Sequence, residues 1–170
     1  MKKILTSSIL LCILFLTGCI KNELTVFTSS AVEFDAATWN ANAAGLTYPM
    51  MTRVPTFNAA TPTSQPTITR TTTSVTLRVN LVGAQSSSDI NFSYIVLTGE
   101  STAEAGTHFT LPSGIGTIPA NSSFGLIRID LVNTGVSSST PKDLVLQLTD
   151  NSSIRASKNY AKVGLRISQL

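Results

Sequence analysis

The sequence predicts an all-β antiparallel sandwich, and three observations carry that prediction. Apolar and polar residues alternate with a period of two in several stretches, most regularly from Val75 to Leu81, which puts one face in a core and the other in water. Loops rich in Gly, Pro, Ser and Asn break these stretches at short intervals. Beyond residue 18 no segment keeps the 3.6-residue period of an amphipathic helix. About seven to eight short strands follow from this pattern, and such strands bury their apolar faces by stacking as two sheets.

In chain order, Met1-Lys2-Lys3 is followed by an uncharged apolar run from Ile4 to about Leu16 and then by small residues, the layout of a secretory signal peptide. The run is too short to span a bilayer, which takes about 20 apolar residues. Its ending, Leu16-Thr17-Gly18-Cys19, resembles the lipobox of bacterial lipoproteins. The resemblance implies cleavage before Cys19, acylation of that cysteine and anchorage in a membrane. Residues 1–18 are then a lipoprotein signal peptide, 19–23 a lipidated tether and 24–170 a single domain. No Asp follows the cysteine, so the outer membrane is the expected location; Lys21-Asn22-Glu23 is either a short polar tether or, by its similarity to the surface-export signal of Bacteroidota lipoproteins, a signal that exposes the chain at the surface.

Leu24 to Asp35 reads as a first strand or a broken pair, Thr25-Val26-Phe27 and Ala31-Val32-Glu33-Phe34. From about residue 36 to 66 the pattern dissolves into Ala, Asn and Thr interrupted by Pro49, Pro55, Pro62 and Pro66, which reads as a long irregular insertion with at most a short strand over Val54 to Phe57. Ser74 to Leu81 and Ile90 to Leu97 are strands expected to pair antiparallel across the Gly83 to Ser88 turn. The second is apolar on both faces toward its end, as a central strand with a partly covered second face would be. Short strands follow at His108 to Leu111 and Ile115 to Ile118, and a long one at Phe124 to Val132, where apolar residues on both parities suggest a bend or bulge at Gly125. Asp143 to Thr149 and Tyr160 to Ser168 complete the set.

Ala105-Gly106-Thr107-His108-Phe109-Thr110-Leu111, Gly114 to Ile118, the turn Pro119-Ala120-Asn121-Ser122-Ser123 and Leu126-Ile127-Arg128-Ile129 together resemble the middle of Calx-β-type immunoglobulin-like domains. The exported part, over about residues 75–168, is similar to Bacteroidota outer-membrane lipoproteins that accompany starch-utilisation-type loci. The resemblance implies an immunoglobulin-like sandwich without a catalytic signature. It departs from the calcium-binding members: His108 stands where they carry an aspartate, and the strand after Ile129 ends Asp130-Leu131-Val132-Asn133 without their acidic pairs. A hard cation wants six to eight oxygens, so no metal is expected.

Composition narrows the function. The chain has 12 basic and 9 acidic residues; losing Lys2 and Lys3 leaves 10 against 9, with no basic run to follow a phosphate backbone. No nucleic-acid partner is expected. Cys12 falls in the signal and Cys19 carries lipid, so the domain holds no thiol for a disulfide, a metal or a nucleophile. His108 is the single histidine and reads as structural, and Glu100 and Glu104 lie in a polar loop with nothing apolar to raise a carboxyl pKa. No catalytic residue and no cofactor is assigned. Trp39, Tyr48 and Phe57 in the insertion either cover an edge or end of the core or are candidate ligand contacts, because flat rings stack on sugars or grip partner surfaces. The expected function is a non-enzymatic, lipid-anchored binding or assembly module of the cell envelope. Its partners are membrane lipid through acylated Cys19 and a glycan or envelope protein. The alternative is an adhesin or fimbria-like subunit assembling through strand edges.

Overall fold

The computed structural model describes residues 29–112 and 114–170. Cys19, the signal, the tether and the Thr25-Val26-Phe27 strand lie outside the described residues. The strands are β1 (Ala31–Phe34), β2 (Met50–Met51), β3 (Ser74–Val82), β4 (Ile90–Val96), β5 (Phe109–Thr110), β6 (Ile115–Ile118), β7 (Phe124–Leu131), β8 (Lys142–Thr149), β9 (Arg155–Ala156) and β10 (Lys162–Ile167), with a one-turn helix α1 (Asp35–Trp39). They form two five-stranded sheets, a first in the order β5-β7-β3-β1-β9 and a second in the order β2-β10-β8-β4-β6.

The period of two decides what faces inward. Val75, Leu77, Val79 and Leu81 of β3 join Ile127, Ile129 and Leu131 of β7, and across the gap meet Phe92 and Tyr94 of β4, Leu144, Leu146 and Leu148 of β8, and Val163, Leu165 and Ile167 of β10 in one core. A single core between two sheets of short strands is an immunoglobulin-like β-sandwich.

Several expectations need correction. β3 and β4 do not pair: β3 lies between β1 and β7, while β4 lies between β8 and β6 in the other sheet. The Gly83 turn, left-handed at φ 139° with Ser30 packed against it, carries the chain between sheets. Alternation fixes which side chains point inward, and two strands that face each other across a core have the same alternation as two that lie side by side. The second face of β4 is open at Ile95, which is exposed. β7 has no bulge, since its register with β3 runs unbroken from Asp130 opposite Ser74 to Phe124 opposite Asn80. Gly125 serves a close approach instead, because a Cβ there would strike the Thr117 carbonyl oxygen of β6. The sandwich is also not wholly antiparallel. Two-residue edge strands pair in parallel, β9 with β1 and β2 with β10.

Residues 36–66 contribute α1, β2 and buried side chains. Asp35, itself buried, accepts hydrogen bonds from Asn80 Nδ2 (2.7 Å) and the Asn58 backbone N–H (2.9 Å), tying helix, insertion and β3 together. Asn40 Oδ1 accepts from the Thr61 N–H at 3.0 Å. Val54 to Phe57 is not a strand; the pairing in this region is β2 and an isolated bridge between Arg53 and Thr67.

Candidate functional site

A groove of about 740 Å³ opens on the second sheet, lined by the end of β8 (Gln147 to Asp150), the turn between β9 and β10 (Ser157 to Ala161), Lys162, and Asn42 and Thr47 of the insertion. Its position follows from local backbone needs. The chain leaves β9 beside β1 through a hydrogen bond from Ser157 N–H to Val32 O (2.8 Å), and Phe34 N–H donates to Tyr160 O (2.9 Å). Only then does it cross to the second sheet, where Leu148 N–H donates to Ala161 O (2.8 Å). That crossing turns the Tyr160 side chain outward, 39% exposed, on the wall of the groove. Asp150 is partly used in folding, since its Oδ1 caps the Ala156 N–H at 2.8 Å. The remaining lining is rich in hydroxyl, amide and ammonium groups around one aromatic ring.

The sequence candidates are distributed differently. Tyr48 is 5% exposed, its ring covering Gly164 together with the Met50 side chain. Lys162 Nζ stands 5.1 Å over the ring and reaches Glu100 at 2.9 Å. Burial first, then Glu100, pushes the Tyr48 phenol up to about 12. Glu100 moves down from the usual carboxylate range, held by Lys162 and Tyr48. Tyr48 thus anchors the insertion to the second sheet beneath the groove rim. Trp39 (50% exposed) and Phe57 (41% exposed) are open to solvent, neither among the groove residues. The sequence hides Tyr160 at the head of the strand expected over Tyr160 to Ser168; the Ser157-Lys158-Asn159 run before it is the available turn signal.

His108 is buried, and its Nδ1 accepts the Glu104 N–H at 3.1 Å while its backbone N–H donates to Glu104 O at 2.9 Å. It closes the turn before β5. Asp130 pairs with Arg128 at 2.7 Å. Among the described residues no three His, Cys, Asp or Glu side chains are grouped as metal ligands, and no helix is long and apolar enough to cross a membrane.

No protein-family model and no curated protein matches the sequence. Among solved structures, the apo-form Calx CBD1 domain aligns with a TM-score of 0.49 and 19% identity over 59% of this chain and 86% of that one. The calcium-binding domain CBD12 of CALX1.1 aligns at 0.49 and 17% over 59% of this chain and 40% of its own. A protein from Bacteroides ovatus, provisionally described as carbohydrate-binding, aligns at 0.44 and 14% over 56% of this chain and 31% of its own.

Proposed function

We propose that this chain is a non-enzymatic binding module, anchored to the outer membrane through an acylated Cys19, that takes a saccharide in the groove beside Tyr160. The observation that carries the reading is the groove's chemistry: about 740 Å³, open, lined by Asn42, Thr47, Gln147, Ser157, Lys158 and Asn159 around an exposed phenol ring. A sugar presents hydroxyls that need donors and acceptors, and a C–H face that lies flat on a ring. Such a module suits an accessory of a starch-utilisation-type uptake system, holding glycan near its transporter.

Glycoside hydrolysis is a poor fit to Glu100, the carboxylate paired with Lys162 of the groove. A general acid needs its pKa raised by an apolar pocket, whereas Glu100 is held down by Lys162 and Tyr48.

The test is a screen of the purified chain against an array of neutral and acidic oligosaccharides, followed by calorimetric titration of the best ligand. Tyr160→Ala should weaken binding at least ten-fold, ~1.4 kcal/mol, while Trp39→Ala leaves it unchanged. Equal affinity in wild type and Tyr160→Ala would remove the groove as the site.

A further inference from the structure

A second surface lies where β7 meets the end of β6 and the turn between them. Val82, Phe124 and Leu126 all point outward from the first sheet, and Phe124 (38% exposed) and Leu126 (50%) line an apolar groove of about 420 Å³ with Pro119. The Arg78 guanidinium lies 4.0 Å over the Phe124 ring, with its Nε buried and without a hydrogen-bond partner. Apolar side chains clustered at one place on a folded surface mark an interaction site. What covers this one is indicated by where the chain enters the sandwich: Ala31 pairs directly with Val82, and Phe124 lies opposite Asn80, two residues back along β3.

We propose that this corner of the first sheet docks onto the phospholipid surface in which the chain is anchored, with Phe124 and Leu126 among the headgroups and Arg78 on a phosphate. The proposal rests on the acylation of Cys19. Ala31 lies twelve residue steps beyond Cys19, so the corner is held within about 40 Å of the bilayer at full extension. A tether that short converts docking into an intramolecular step at high effective concentration, and a small patch then suffices. Arginine over an aromatic ring is an arrangement that serves a wet, anionic interface, with the ring shallow and the guanidinium at headgroup level. The acids on this face do not oppose it strongly. Asp130 is paired with Arg128, Asp35 is buried under Asn58 and Asn80, and Asp89, exposed beside Pro119, accepts the Ala120 N–H at 2.8 Å. Glu33 is partly buried, and that burial pushes its carboxyl up.

The experiment uses full-length chain purified from the membranes of the producing cells and reconstituted into vesicles of zwitterionic and anionic phospholipid with brominated acyl chains. In a Trp39→Phe background, a single tryptophan is placed by Phe124→Trp or, on the outer face of the second sheet, by Ile95→Trp. Both positions are exposed and tolerate the larger ring, and circular dichroism checks each fold. The expected result is fractional quenching at 124 at least twice that at 95, reduced by Leu126→Glu without loss of vesicle flotation. Flotation with equal quenching at both positions keeps the anchor and overturns the docking. A chain that does not float overturns the anchor, and the docking with it. Unquenched 124 fluorescence that shifts to the blue as protein concentration rises assigns the patch to a second copy and overturns the proposal.

Discussion

Glu33 sits on the outer face of β1 beside Asn80, with Asp35 two residues on, and burial followed by that neighbouring charge raises its pKa above 4.5. A raised folded value means that its stabilising contribution is complete below about pH 4.5 and is lost as pH climbs through the folded pKa. Glu33→Gln is therefore expected to raise the melting temperature at pH 7 by about 1–3 °C, kept small by solvent screening. The gain should shrink toward zero at pH 4, as differential scanning calorimetry at both pH values would read. Glu100 behaves oppositely. Its lowered pKa gives stability present above 4.5 and lost as pH falls through the folded value, so Lys162→Met should flatten the acid limb of a Tm profile between pH 5 and 3. Tyr48, pushed up to about 12, keeps its contribution below its ordinary value of 10.0 and loses it as pH rises through the folded one. Tyr48→Phe should flatten the alkaline limb by the same reasoning. The partners in this trio are 52 and 62 residues apart along the chain (48 to 100, 100 to 162), and no local pattern announces them.

Among the elements, the insertion is held by what β10 lacks. Gly164 leaves a space that Met50 Cε and Sδ and the Tyr48 ring fill, at 2.6, 2.7 and 3.2 Å from where a Cβ would stand, while Gly164 N–H donates to Pro49 O at 3.0 Å. Gly164→Val should cost about 1–3 kcal/mol by overpacking, measured by urea unfolding. Since the closest atoms belong to the flexible end of Met50, a Met50→Ala change in the same chain should recover part of the loss, a non-additivity expected of touching residues. Edge strands bear on the assembly alternative. β5, β9 and β2 have two residues each and β6 four, leaving little ladder for a partner strand. Sedimentation should find the detergent-solubilised chain free of strand-mediated oligomers, and a lysine placed on β6 by Thr117→Lys should leave the sedimentation coefficient unchanged.

In the whole molecule, stability comes from one aliphatic and aromatic core in which Phe34, Phe92 and Phe109 are the bulky members. Phe92→Ala should cost about 3–5 kcal/mol, read from the midpoint of denaturant unfolding, because its ring fills the space left by Gly116 and Gly125. The sequence by itself determined the β class, the bounds of β6, nearly those of β3, β7 and β8, and the inward residues of β3 and β8, because a period of two is a local property that a core enforces strand by strand. Only the tertiary structure decided that β3 and β4 lie in different sheets, that Tyr48 is an anchor under Lys162, and that Tyr160 stands on a groove. Those outcomes depend on which strands meet across space, and neighbours brought together by a closing sandwich leave no periodic mark on the chain.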